Sequence, residues 1–213
     1  MPKRVDKHEK RKGIGAAAVR VFRQLGYHYT RMADVAAAAG VGKGTLYEYF
    51  QNKADILRFA FDEYFGSFRA GATAAMDEVD TPAGKLLALM RFALVHADEW
   101  EDHCAVYVAY LGTDRNAKTE TPVSLEHIYG EMLVLLRELV LQGQSAREIR
   151  EYLDPDATAE LLLSIFDGIV LHRVLDKPRC DTKSVHHAAL DVVSRGLLVD
   201  PLAGVGSSRH TAQ

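Results

Sequence analysis

The run Gly40-Val41-Gly42-Lys43-Gly44-Thr45 joins glycines, a lysine and a hydroxyl, the residue types that cradle a phosphate. A nucleotide-binding P-loop, however, needs glycine five residues before its Gly-Lys pair and Ser or Thr directly after the lysine. Those positions hold Ala37 and Gly44, and no strand precedes the run. Gly13-Ile14-Gly15-Ala16-Ala17-Ala18 imitates a dinucleotide fingerprint, but it opens an amphipathic helix behind a charged arm. Glu99, Glu101, Asp102, His103 and Cys104 could hold a metal or move protons. They lack the fixed helical spacing and outside partners of a metal set, and read as a solvated corner flanking a buried Trp100 and Cys104. His186 and His187 are adjacent, so on a helix they point about 100° apart and do not share a metal. Cys104 and Cys180 make neither a disulfide framework nor a zinc spacing and read as two buried thiols. No catalytic residue, metal ligand or cofactor is assigned.

The 213 residues carry 26 Lys+Arg and 29 Asp+Glu, a net −3 that hides an asymmetry. Residues 1–53 hold 11 basic and 4 acidic side chains, a net +7, and the remainder nets −10. A basic head on an acidic body implies a polyanion-binding module joined to something that does not bind polyanions. The longest apolar runs, such as Leu86 to Met90, are far too short to span a bilayer, and the charged start lacks a signal-type apolar stretch. A cytoplasmic location is expected.

The elements that must position these residues are helical almost throughout. Ile14, Ala17, Ala18, Val21, Phe22 and Leu25 keep helical spacing until Gly26 stops them. Thr30 is expected to cap a second helix with Met32, Val35, Ala36 and Ala39 inward and Gly40 at its end. A short third helix buries Leu46 and Phe50. Longer helices follow. One carries Ile56, Leu57, Ala60, Phe61, Tyr64 and Phe68 to about Val79; Thr81 and Pro82 open the next. Further patterns run over Leu86–Ala97, Cys104–Leu111, Leu125–Leu141 closed by Gly143, Leu161–Leu175 opened by Asp154 and Pro155, and Val185–Leu198 opened by Asp181 or Thr182. Pro201–Gln213 reads as a disordered tail. The expected fold is all-α with about nine helices: three short ones in a basic head over 1–53 with its N-terminal arm, longer ones over 54–200, and the tail.

The three short helices have the ingredients of a helix-turn-helix: small Ala36 where helices cross, Gly40 at the sharp turn, and Val41 tying the turn to the core. The outward positions of the third helix are small or hydrogen-bonding, as entry into a major groove requires. Over residues 14–57 the Gly26-Tyr27…Thr30 opening, the Ala39-Gly40-Val41-x-Lys43-Gly44-Thr45-Leu46-Tyr47-x-Tyr49-Phe50 core and the Asn52-Lys53…Ile56-Leu57 ending closely resemble the DNA-binding domain of the TetR (tetracycline-repressor) family of bacterial transcriptional regulators.

That resemblance implies a DNA-binding domain over 1–53 and an effector-binding and dimerisation domain over 54–200, in a homodimer that binds a palindromic double-stranded DNA operator and leaves it when a small molecule enters the C-terminal domain. It puts base-edge reading on Lys43 and Thr45, close backbone approach at Gly44, and phosphate or thymine-methyl contact at Tyr47 and Tyr49. Thr30, Arg31 and Met32 fall at the start of the preceding helix, Arg31 and Met32 meeting backbone or flanking bases; Lys53 matches a phosphate-contacting lysine. Gly42 stands where serine is frequent, and Glu48 is read as pointing away from DNA. The arm, Lys3 to Lys12, is either a solvated tail or a tracker of phosphates.

The resemblance places an effector cavity in the helices from about residue 81 to 175, for which His96, Trp100, Tyr107, Tyr110, Phe166 and His172 are the candidate lining, suited to a hydrophobic or aromatic molecule. The apolar faces of the last two helices would pair across the dimer axis, where Gly168 either permits close approach or is simply a tolerated glycine. The function expected is a ligand-responsive DNA-binding regulator, a repressor rather than an enzyme. The alternatives are a DNA-binding regulator controlled by a protein partner and a helical nucleotide-binding enzyme.

Overall fold

The computed structural model of the chain describes residues 7–113, 123, 125–175 and 181–200. Among these are nine helices and no strand, apart from an isolated antiparallel bridge between Ile149 and Leu198. Cys180, the tail from Pro201 and residues 1–6 of the arm lie outside the described residues. The chain forms two compact units, Met1–Phe68 with Asp98–Ser124, and Arg69–Ala97 with Leu125–Gln213.

In the first unit, α1 (Lys7–Leu25) buries Ile14, Ala17, Ala18, Val21 and Phe22, the helical stripe that the spacing predicts. Gly26 ends it at φ +82°, a left-handed conformation that a side chain would strain. α2 (Met32–Ala38) and α3 (Lys43–Tyr49) follow, then the start of α4 (Lys53–Asp77) with Ile56, Leu57, Ala60 and Phe61 buried. α6 (Ala97–Thr113) completes this unit and begins seven residues earlier than the apolar pattern suggests. The expected acidic corner is therefore helix. Asp98 and Glu99 occupy its first turn, where negative charge is favourable, and Glu101 and Asp102 both pair with Arg23 of α1. Trp100 is buried as expected, packed among Phe61, Tyr64 and Phe65, whereas Cys104 is only half-buried.

In the second unit α5 (Pro82–Val95) opens as the sequence predicts, Thr81 Oγ1 accepting from the Gly84 N–H with Pro82 in the first turn. α7 (Leu125–Ser145) packs on α5 and on α8 (Pro155–Leu175), and α5 also packs on α9 (Thr182–Leu197). Asp154 caps α8 through the Ala157 N–H at 2.8 Å, and Asp181 caps α9 through the Ser184 N–H at 3.0 Å. Gly143 does not end α7; it lies inside the helix. A Cβ there would meet Ile149 at 2.6 Å, so the glycine serves close approach, and the chain turns at Arg147 with φ +60°. Within the chain, nothing lies within 4 Å of the Cβ that Gly168 lacks.

Candidate nucleic-acid interface

The turn between α2 and α3 is built from the residues the sequence singles out. Ala36 is buried, and its carbonyl accepts from the Val41 N–H at 3.0 Å; Gly40, at φ +63°, reverses the chain between them. Leu46 of α3 and Phe50, the residue that caps its C-terminal end, are fully buried, so the helix is fixed by its rear face. The opposite face presents Lys43, Gly44, Tyr47 and Glu48 to solvent, with Thr45 and Tyr49 half-covered at its margins. Gly44 has open space where a Cβ would stand, which leaves its backbone approachable. Gly42 is the α3 N-cap in extended conformation and supplies no side-chain cap, the deficit that its replacement of serine predicts.

Two of the candidate DNA contacts are engaged inside the chain, and Thr30 is not the α2 cap that its position suggests. Thr30 is buried, and its hydroxyl donates to the Gly26 carbonyl at 2.8 Å; the α2 N-cap is Arg31, whose N–H donates to the Asp34 carboxylate at 2.8 Å. Thr30 thus clamps the turn behind the interface, while Arg31 is exposed and Met32 half-exposed. Lys53 donates to the carbonyls of Tyr27, His28 and Thr30 at 2.7, 2.9 and 3.2 Å. An ammonium has three protons, and these carbonyls take all three. Burial also lowers the Lys53 pKa. It is a staple holding the α1–α2 turn, with no donor left for a phosphate.

The basic arm is likewise partly structural, because Lys7 onward is helix. Lys12 pairs with Glu63 at 3.1 Å, and the Arg11 guanidinium lies over the rings of Phe50 and Phe59 at 4.9 and 4.4 Å. Arg11 therefore braces the C-terminal end of α3. Tyr27, buried against Phe22, has its phenol pushed up to about 12, chiefly by burial. Tyr110 of α6 packs edge-on against Tyr27 and stacks on His28 at 5.5 Å. Charge counting and helical periodicity could not assign these supporting roles, because each depends on partners distant in the chain.

The six effector candidates divide between the units. Trp100, Tyr107 and Tyr110 belong to the first, where Trp100 is core and Tyr110 supports the α1–α2 turn. His96, Phe166 and His172 belong to the second. His96 caps α5 and stacks on Phe92 at 4.1 Å, Phe166 is half-buried, and His172 lines a cleft between α8 and α9. A half-buried imidazole from the acidic corner, His103, sits against Phe61, Tyr64 and Trp100. Among the described residues no group of three or more His, Cys, Asp or Glu is placed to hold a metal, and no helix is long and apolar enough to cross a membrane.

Comparison with known proteins agrees with this arrangement. Residues 14–59 match the family described as bacterial regulatory proteins, tetR family, and residues 82–198 match the C-terminal domain of BetI-type transcriptional repressors. The chain is 28% identical over 183 residues to the fatty acid metabolism regulator protein of Bacillus subtilis, covering 85% of this chain and 92% of that one. The structure of a transcriptional regulator FadR from Bacillus subtilis in complex with stearoyl-CoA superposes with a TM-score of 0.69 at 26% identity, over 86% of this chain and 97% of that one. A transcriptional regulator from Saccharomonospora viridis in complex with choline, 21% identical, shares the fold with a TM-score of 0.74 over 91% and 100% of the two chains. With its helix-turn-helix and its C-terminal helices both matched, the chain belongs to the tetR family of bacterial regulatory proteins and is a DNA-binding transcriptional regulator.

Proposed function

We propose that the chain works in the cytoplasm as a homodimeric repressor, seating the exposed face of α3 in successive major grooves of a palindromic operator and leaving it when a hydrophobic small molecule binds. The observation that carries this is the two-sidedness of α3. Leu46 and Phe50 anchor its rear, while Lys43, Gly44 and Tyr47 stand outward in open space, with Thr45 and Tyr49 beside them. Arg31, Met32 and the backbone at Gly42 flank that face and are assigned to DNA backbone or flanking bases. The exposed apolar side chains Leu161, Leu171 and Leu175 of α8 and Val192 of α9 supply the surface for a second copy. A long-chain acyl thioester is the effector class favoured, on the strength of the fatty acid regulator and the stearoyl-CoA complex among the relatives. Release follows by population shift, the effector favouring a dimer geometry whose α3 helices no longer match groove spacing. The test is anisotropy with labelled promoter DNA. K43A and Y47A should each weaken binding by about fivefold or more, at about 1–3 kcal/mol per lost contact. Stearoyl-CoA should release the wild-type protein; operator binding indifferent to both substitutions would overturn the reading of α3, and indifference to acyl thioesters would overturn the effector class.

A further inference from the structure

A cleft of about 280 Å³ opens within the first unit, where α1, α4 and α6 meet. Its two ends differ in chemistry. Gly15 of α1 lies against Phe59 of α4, 3.4 Å from the Cβ it lacks, and His103 of α6 bonds the Ala60 carbonyl. With Ala16 and Val19, one turn apart on α1 with Gly15, these residues make an apolar end. One turn further along α4 the lining becomes polar. Lys12 pairs there with Glu63 at 3.1 Å, Glu99 of α6 acts on the Tyr64 phenol, and Ser67 follows on the next turn.

Charge at the polar end does not cancel. Lys12 and Glu63 neutralise each other, and burial holds the His103 imidazole below its ordinary pKa, so it is uncharged at neutral pH. Among the described lining residues Glu99 is the charge left over, and it is exposed. Of the α1 cations on the following turns, Arg23 is taken by Glu101 and Asp102, and Arg20 is not part of the lining. The Tyr64 ring is held against Trp100 and His103, which leaves its hydroxyl end for the cleft. Burial first and the Glu99 charge second push that phenol up, so it stays protonated and its oxygen can still accept a hydrogen bond. The volume suits a ligand smaller than a drug-sized molecule.

We propose that this cleft is a ligand site for a small amphipathic organic cation, a primary ammonium on a short apolar body. The ammonium has three protons, and the Glu99 carboxylate, the Tyr64 oxygen and the Ser67 hydroxyl offer three acceptors, the first of them charged. The apolar body lies along Ala16 and Val19 on one side and Phe59 and Ala60 on the other. None of the six effector candidates lines this cleft, and it takes nothing from the α8 and α9 surface assigned to the dimer.

Isothermal titration of the full chain with phenethylamine hydrochloride tests this, with 2-phenylethanol and methylamine as separate arms that keep the body without the charge and the charge without the body. Phenethylammonium should bind, and neither control should bind at the same concentrations. E99Q should raise the phenethylammonium Kd by about tenfold or more, the usual cost of losing a charged hydrogen-bonding partner. A16L narrows the apolar end from an exposed position on α1, where leucine suits a helix, and it should weaken binding by a similar factor. Operator affinity without the amine should be the same in both variants as in wild type, since neither residue belongs to the α3 face. No phenethylammonium binding, binding of 2-phenylethanol as well, or a Kd unchanged in E99Q or in A16L would overturn the proposal.

Discussion

Lys53 shows how one side chain can hold a motif together from behind. Its ammonium gathers the carbonyls of Tyr27, His28 and Thr30, and its charge lies 4.7 Å from the centre of the Tyr27 ring. K53M should therefore lower stability by about 2 kcal/mol, the scale of charged hydrogen bonds. The salt dependence of operator binding should stay unchanged. A phosphate contact would behave in the opposite way, flattening the slope of log K against log salt by about 0.9 and sparing the melting temperature. His103 makes a pH prediction. Burial lowers its pKa despite hydrogen bonds to the carbonyls of Glu99 and Ala60, which pull the other way. The unfolded chain takes up a proton near pH 6.5 and the folded chain resists it, so stability is full above that pH and falls as pH drops through it. Thermal melts at pH 7.5 and 5.5 should show this loss, and H103Q should show less of it.

At the scale of elements, the recognition helix is short and depends on what surrounds it. α3 has seven residues, no side-chain cap and one fully buried side chain within it, Leu46, with Phe50 just beyond its end. So short a helix is not stable alone, and its position comes from Leu46, Phe50 and the Arg11 brace. At Gly42, a new Cβ would meet only Thr45 Oγ1, at 3.9 Å. G42S should therefore fit, restore the cap and raise stability by a few tenths of a kcal/mol, read as a higher denaturation midpoint. Gly40 is the converse case. Space around it is open, yet its φ of +63° makes G40A costly by about 1–2 kcal/mol through the backbone alone. Equal midpoints for G40A and wild type would contradict that account of the turn.

At the scale of the whole molecule, the +7 head and the −10 remainder still argue for a duplex met by the N-terminal end, with the acidic C-terminal part disfavoured there. Part of the head's charge is spent internally, on Lys53, on Arg23 with Glu101 and Asp102, and on Lys12 with Glu63. A deletion that tests the arm should consequently stop at residue 6, since removing residues 1–11 would also take the Arg11 brace. Loss of Lys3 and Arg4 should flatten the salt slope by at most about 1.8 if both meet phosphates. The proposed dimer has its own check. L161E with V192E should give monomers by sedimentation and lose operator affinity, while helix content is kept.

The helices, their caps at Thr81, Asp154 and Asp181, and the outward face of α3 were legible in the amino-acid order, because periodicity, capping and turn glycines act over a few residues. The tetR-family membership was legible for the same reason, since its motif is one unbroken stretch. The roles of Thr30, Lys53, Arg11, Gly143 and His103 were not. Each is decided by a partner far along the chain or by a neighbour's bulk: the Tyr27 and His28 carbonyls for Lys53, Phe50 and Phe59 for Arg11, Ile149 against Gly143, and the Phe61, Tyr64 and Trp100 rings around His103. Local sequence determines which face a side chain occupies; only tertiary packing determines whether its charge or hydroxyl is left for a ligand or spent on the chain itself.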